Sequence, residues 1–177
     1  MNLWDDQFDL LIRARTPLIW IRSVEEQRVE ELLSEATKRL KIFRLAIWDY
    51  INGLDGILNS QGLGSRQPMS ILQWIQKIES SSPTIVLLKD FHRFCDDAGI
   101  ARMLRNLSRK LRAQPHTVII SAGEWNPPKD LDEELTILDL PLPQELELRN
   151  LLGNIAKASG HSLENAVLKE LTQACSG

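Results

Sequence analysis

The sequence predicts an α/β fold, a three-layer domain in which helices cover both faces of a five-stranded parallel sheet. Three observations carry this. Short runs of branched apolar residues alternate with amphipathic helical stretches along the chain. The runs, Thr84-Ile85-Val86-Leu87-Leu88 above all, are apolar at successive positions, so neither face of such a strand can be left in water. The helical stretches keep one continuous apolar stripe at i, i+3, i+4, i+7 and i+11.

In chain order, residues 3–14 read as a short helix with Leu3, Phe8, Leu11 and Ile12 inward. The first strand follows over 17–22, built on Leu18-Ile19-Trp20-Ile21. A helix over 24–41 turns Val29, Leu32, Leu33, Ala36 and Leu40 to the core. Residues 43–50 form the second strand, and 52–67, rich in Gly, Asn and Ser and without a period, read as a mobile loop. Pro68 suits a first helical position, and the helix it opens buries Ile71, Leu72, Ile75 and Ile78. The third strand is 84–88. The helix over 97–114 buries Ile100, Met103, Leu104, Leu107 and Leu111, and the fourth strand is 117–120. After Pro127-Pro128 comes a fifth strand over 135–140, closed by Pro141-Leu142-Pro143. Two helices, about 144–158 and 162–175, end the chain. The expected division is therefore an α/β domain over 1–141 and a partial helical piece over 142–177, cut off at Gly177.

Composition narrows the functional classes. The chain has 177 residues, 43% hydrophobic and 25% charged, enough for a sizeable core. A net charge of -3 argues against a dedicated nucleic-acid binder. Cys95 and Cys175 have no metal spacing and read as reduced thiols. His92, His116 and His161 are far apart with no ligand spacing, so no metal site is expected. Asp5, Asp6 and Asp9 leave no basic region for a signal peptide, and no apolar run approaches the ~20 residues of a membrane span. A soluble cytoplasmic chain is expected.

Ligands of open α/β sheets bind at the carboxyl ends of the strands, which here carry Arg22-Ser23, Asp49-Tyr50, Lys89-Asp90, Ser121 and Asp139. A nucleotide site would need a glycine-rich turn after the first strand, so that bare backbone N–H groups can hold phosphate. Residues 22–26, Arg-Ser-Val-Glu-Glu, contain no glycine. Ser23 and Glu26 read instead as a capping box, the hydroxyl on the Glu26 N–H and the carboxylate on the Ser23 N–H. Glu25 and Glu26 set two negative charges at the positive end of the helix dipole. Each would repel a phosphate charge by about 4 kcal/mol at 4 Å and an effective dielectric near 20. No nucleotide is expected there. Gly62-Leu63-Gly64-Ser65 is no substitute, because it follows the second strand and lacks a lysine.

The third strand ends in Lys89-Asp90, resembling the strand that carries a magnesium-binding Asp and a catalytic Glu in P-loop ATPases. A hard cation needs an oxygen ligand, and an ammonium at position 89 repels it. Asp90 then reads as a cap or salt-bridge residue, Ser121 as a turn hydroxyl where such ATPases place a polar sensor. Cys95 lies beside Asp96 and Asp97, which raise rather than lower a thiol pKa. Arg102, Arg105, Arg109 and Arg112 recur at i, i+3, i+7 and i+10, opposite the apolar stripe. They read as a solvated outer face, or as a docking stripe for an acidic protein surface or nucleic acid. Four phosphate contacts would give a log–log salt slope of about -3.6.

The strand and helix order, Lys89-Asp90, Ser121 and the run Leu138-Asp139-Leu140-Pro141-Leu142-Pro143 before the last helices resemble an AAA+ ATPase module. More narrowly, 10–19, 23–29, 88–92 and the Leu-Asp-Leu-Pro-Leu-Pro run resemble the amino-terminal half of one family. It is the AAA+ ATPase family of cyanobacteria and algal plastids named hypothetical chloroplast reading frame forty-six. The resemblance implies a degenerate AAA+, P-loop-NTPase-like domain with the start of a helical lid. The parent chain would carry the working module, with ATP and Mg, further along and in a ring, in the cyanobacterial cytosol or plastid stroma. It also implies a link to inorganic-carbon use in photosynthesis, and an arginine-finger position at Arg112. The expected function is nucleotide-free assembly or recruitment, through subunits of the same protein or an acidic partner. The alternatives are an ATP-binding domain with an atypical phosphate loop, and a nucleic-acid module using Arg102–Arg112.

Overall fold

The computed structural model describes residues 3–55, 66–143, 145–160 and 165–175. The sequence elements with the strongest patterns form where the patterns predict. Helix α1 spans Leu3–Arg13, strand β1 Leu18–Arg22, helix α2 Glu26–Leu40 and strand β2 Arg44–Asp49. Strand β3 is Gly53–Asp55 and helix α3 Pro68–Ile75, with Pro68 in the first turn. Strand β4, Thr84–Lys89, runs into one 3-10 turn, Phe91–Phe94. Helix α4 is Ala98–Leu111, strand β5 His116–Ala122, a single-turn helix α5 Lys129–Asp132 and strand β6 Thr136–Asp139. Helices α6, Glu145–Ala158, and α7, Asn165–Cys175, complete the chain.

The sheet has six strands in the order β3-β2-β4-β5-β1-β6. The five expected strands are all parallel to one another, and β3 adds an antiparallel edge through Trp48–Leu54 pairing. β3 is a correction, since the sequence reads 52–67 as loop from its start. The hairpin forms because Asp49 accepts hydrogen bonds from the N–H groups of Ile51 (2.8 Å) and Asn52 (2.6 Å), fixing a turn without a hydrophobic signal. Gly53 supplies the positive φ of 78° that the turn requires. Most of the expected loop, including Gly62 to Ser65, lies outside the described residues, as does His161.

Alternating strand side chains feed two cores. One face packs Leu18, Val86, Leu88, Val118 and Ile120 against α3, α4 and α5. The other packs Ile19, Ile21, Ile85, Leu87 and Ile119 against α1 and α2. α4 buries Ile100, Leu104, Leu107 and Leu111, with Met103 half-buried. Its N-cap is Asp97, whose carboxylate accepts the Ile100 N–H at 2.9 Å. α3 stops at Ile75, leaving Ile78 beyond it and only partly buried. In α1 the inward residues are Trp4, Phe8 and Ile12, with Trp4 stacked on Phe8 at 5.2 Å. Leu3, expected inside, is exposed. Asp9, by contrast, is buried and holds the Arg39 guanidinium of α2 through two bonds of 2.7 and 2.9 Å.

The chain divides into two compact units, residues 1–140 and 141–177. The second consists of α6 and α7, which contact each other. Among the described residues, no helix is long and apolar enough to cross a membrane.

Candidate functional site

Parallel β1, β4, β5 and β2 bring their carboxyl ends to one edge of the sheet, so residues distant in sequence meet there. The register sets Arg22 beside both Ala122 and Asp139, and Lys89 beside Ser121.

At the β1–α2 turn two backbone donors, the N–H groups of Ser23 and Glu25, are already used. The Ser23 N–H bonds to the Ala122 carbonyl at 3.0 Å, and the same oxygen accepts the Trp20 indole N–H at 3.1 Å. The Ser23 hydroxyl accepts the Glu25 N–H at 3.0 Å. The turn lies so close over β5 that a Cβ on Gly123 would come within 2.8 Å of Val24 Cγ1. The expected capping box is absent: α2 begins at Glu26, its N-cap is Glu25, and no side chain caps it. The reason is competition. The Glu26 carboxylate reaches across to the Lys89 Nζ at 2.9 Å instead of back to Ser23, and Glu25 pairs with Arg28 at 2.7 Å.

Lys89 is the centre of the site. Its ammonium also meets Glu30 at 2.7 Å, and its side chain is only 16% exposed. Glu26 and Glu30 stand one helical turn apart, so both carboxylates share the face of α2 that looks at the end of β4. Burial alone would lower the lysine pKa, but the hydrogen bonds and charges of Glu30 and Glu26 outweigh it and push it up to about 12. The ammonium stays charged and committed. Burial likewise acts to raise Asp49, yet the bonds from Asn52 and Ile51, with the charge of Lys89, hold it below the usual carboxylate range.

The other sequence-predicted residues part company here. Asp90 follows Lys89 in a left-handed conformation, φ 53°, with its side chain 60% exposed. It makes no side-chain cap, so the cap reading is corrected: its backbone carbonyl, not its carboxylate, takes the Arg93 N–H at 3.1 Å. Its carboxylate lies 3.9 Å from His92 Nδ1, an ion pair only when the imidazole is protonated, which its burial disfavours. Ser121 is buried, and its carbonyl accepts the Asp90 N–H at 3.2 Å. Arg22 forms a bidentate pair with Asp139 across β1–β6 and sits 5.8 Å over the Trp20 ring. Cys95 is buried, and burial, aided by Asp96, pushes its thiol up to about 12, so it is no nucleophile.

The arginine stripe does not stay together as an outer face. Arg105 is turned toward α5 and pairs with Asp130 at 2.8 Å, and Arg112 pairs with Glu134 at 3.1 Å. Of the four, Arg102 and Arg109 are exposed and make no ion pair among the described residues.

Sequence reasoning placed Tyr50 at a strand end but missed Phe94 and Trp125 around this edge. Trp125 packs edge-on to Trp20 at 5.3 Å, and Tyr50 lies 5.3 Å from Phe94. A cavity of about 480 Å³ opens between the ends of β2 and β4, lined by Tyr50, Ile51, Lys89, Arg93 and Phe94 among others. No motif announces it, because its walls come from two loops brought together by strand order. Among the described residues, no group of three or more His, Cys, Asp or Glu side chains is placed to hold a metal ion.

This architecture is that of the AAA+ and P-loop ATPases. Solved structures with the same fold include a chain of the HORMA:CdnC:Trip13 complex of E. coli MS115-1, at a TM-score of 0.59 and 14% identity over 95% of this chain and 61% of that one. A RuvB variant of Thermotoga maritima matches at 0.59 and 11%, over 95% and 54%. The chain belongs to the family described as SpoVK-like AAA ATPase, N-terminal domain, whose model matches residues 4–140. Its relatives include the "uncharacterized AAA domain-containing protein ycf46" of Guillardia theta, 38% identical over 96% of this chain, and that of Trieres chinensis, 34% identical over 98%. The chain spans about a third of the length of these curated relatives, 34% and 35%.

Proposed function

We propose that this chain is a nucleotide-free AAA+-like module that serves assembly and partner recruitment for an ATPase module lying elsewhere in a longer parent protein. The observation that carries the reading is the bonding of Lys89 to Glu26 and Glu30. In a P-loop ATPase the first turn of α2 would face phosphate and the end of β4 would face magnesium. Here a carboxylate stands in the first place and an ammonium in the second, and they neutralise each other. A triphosphate entering this edge would displace the carboxylates from Lys89 and meet backbone N–H groups already bonded to Ala122 and Ser23. The fragment is thus not catalytic, and ATP with Mg belongs to the parent.

Titration with a fluorescent ATP analogue in magnesium tests this. No saturable binding up to millimolar nucleotide is expected; micromolar binding would overturn the reading. The parent's setting is proposed as the cyanobacterial cytosol or plastid stroma, in a homo-oligomer, with a role in photosynthetic inorganic-carbon use. The algal relatives support the setting. A strain lacking the gene should grow normally in high CO2 and poorly when CO2 is limiting, and equal growth in both removes the carbon role.

A further inference from the structure

We propose that the solvent-facing crest of α4, which carries Arg102 and Arg109, is a docking surface for a helical partner segment with carboxylates one turn apart. This surface rests on the recruitment reading and deepens it by giving the class of partner.

Helix α4 and its C-cap carry Arg102, Arg105, Arg109, Lys110 and Arg112 and no carboxylate, in a chain whose net charge is -3. The sign of this helix is opposite to that of the whole molecule. Both of its flanks are taken. On one, Arg105 holds Asp130 at 2.8 Å, while Arg112 and the Ser108 hydroxyl share Glu134 at 3.1 and 2.6 Å. On the other, the Lys110 ammonium donates to the Gln76 carbonyl at 2.6 Å. Between the flanks, opposite the buried stripe, Arg102 and Arg109 stand exposed with no ion pair among the described residues. Their exposed neighbours on the crest, Ala98 and Asn106, are short, so another helix can lie close without displacing a bulky side chain.

The engaged pair shows what this helix receives. Arg105 and Arg112 lie seven residues apart, and the carboxylates that meet them, Asp130 and Glu134, lie four apart on the segment that contains α5. Arg102 and Arg109 repeat the spacing of seven, three residues earlier on the same helix. A second acidic segment with carboxylates at i and i+4 would meet them as Asp130 and Glu134 meet their pair, each guanidinium gaining a charge-assisted bond. A nucleic-acid backbone fits less well. A long polyanion would have to run on past Asp130, whose side chain is 74% exposed, whereas a short segment can end at the arginines. Two phosphate contacts would also give a log–log salt slope of only about -1.8.

Selection of a displayed library of helical peptides on the whole chain tests the proposal, followed by fluorescence polarisation of one selected peptide in rising salt. Selected sequences should carry Asp or Glu three or four residues apart, and their affinity should fall as salt rises. Arg102→Glu combined with Arg109→Glu should weaken binding about tenfold or more with circular dichroism unchanged, since neither side chain holds another element. Changing the two peptide acids to Lys should restore binding to that double variant. No enrichment of acid pairs, or affinity indifferent to the double variant, overturns the docking surface. A duplex oligonucleotide that binds more tightly and displaces the peptide overturns it too, since the occupant is then a phosphate backbone. ATP in magnesium, titrated in parallel, separates the two readings: micromolar nucleotide binding sinks the recruitment reading, whereas absent peptide binding without nucleotide binding sinks the surface alone.

Discussion

Two charged regions of this molecule behave in opposite ways. At the carboxyl edge of the sheet, Lys89 is taken inward by two carboxylates and nearly removed from water. On α4, arginines that recur as regularly in sequence are divided, Arg105 and Arg112 drawn to Asp130 and Glu134, Arg102 and Arg109 left in solvent. The difference teaches that spacing tells where a charge sits on its own helix, while its fate depends on which other element arrives beside it.

The contrast can be broken or sharpened from the core outward. The largest effect should come from the inner face of α4: Leu104→Ala, at a fully buried position, should cost about 2–5 kcal/mol in urea unfolding. A cost under about 1 kcal/mol would mean that α4 is loosely held. Next, Lys89→Met leaves Glu26 and Glu30 facing each other without a counter-charge. We expect a loss of about 2 kcal/mol, less than for a fully buried pair because Glu26 is half exposed. Adding Glu30→Gln should recover part of it, and unchanged stability would demote the cluster to surface decoration.

A pH series adds a smaller effect. Burial holds the His116 imidazole below its ordinary value of 6.5, outweighing the upward pull of a backbone hydrogen bond at Ile78. As pH falls below 6.5 the unfolded chain gains a proton that the folded chain refuses, so stability falls until the folded pKa is passed. His116→Leu should flatten that part of the profile measured by thermal unfolding; an identical slope would place the titration elsewhere. The smallest change belongs to the solvated pair, Arg102→Ala with Arg109→Ala, expected within about 0.5 kcal/mol. A larger loss would show that the outer face of α4 carries structure after all.

Much of the fold was legible, and the reasons are physical. Strands buried on both faces must be continuously apolar, so β1, β4 and β5 could be read from residue type alone. α4 was legible because one stripe meets one core. β3 was not, since Gly53-Leu54-Asp55 pairs through a turn set by the Asp49 carboxylate, a bond between side chain and backbone with no apolar period. At the site, Lys89 was recognisable as the wrong charge for a metal. Its partners were visible only as an i, i+4 acidic pair on a helix some sixty residues earlier. The capping box failed for the same reason: local chemistry offered Glu26 the Ser23 N–H, and the assembled sheet offered it an ammonium. The aromatic cavity was legible only at Tyr50, a strand-end residue, because Phe94 looks like an ordinary loop residue.

The tie between Arg22 and Asp139 has a mechanical side. β6 is an edge strand bonded laterally to β1, and the Leu140 N–H still reaches the Arg22 carbonyl at 3.3 Å. The backbone leaves the sheet immediately afterwards. Tension applied there along the strand direction would load the β1–β6 ladder in shear, with all its bonds sharing the strain together, rather than unzipping them singly. The guanidinium–carboxylate clasp sits one residue before that last backbone bond and would share the pull with it.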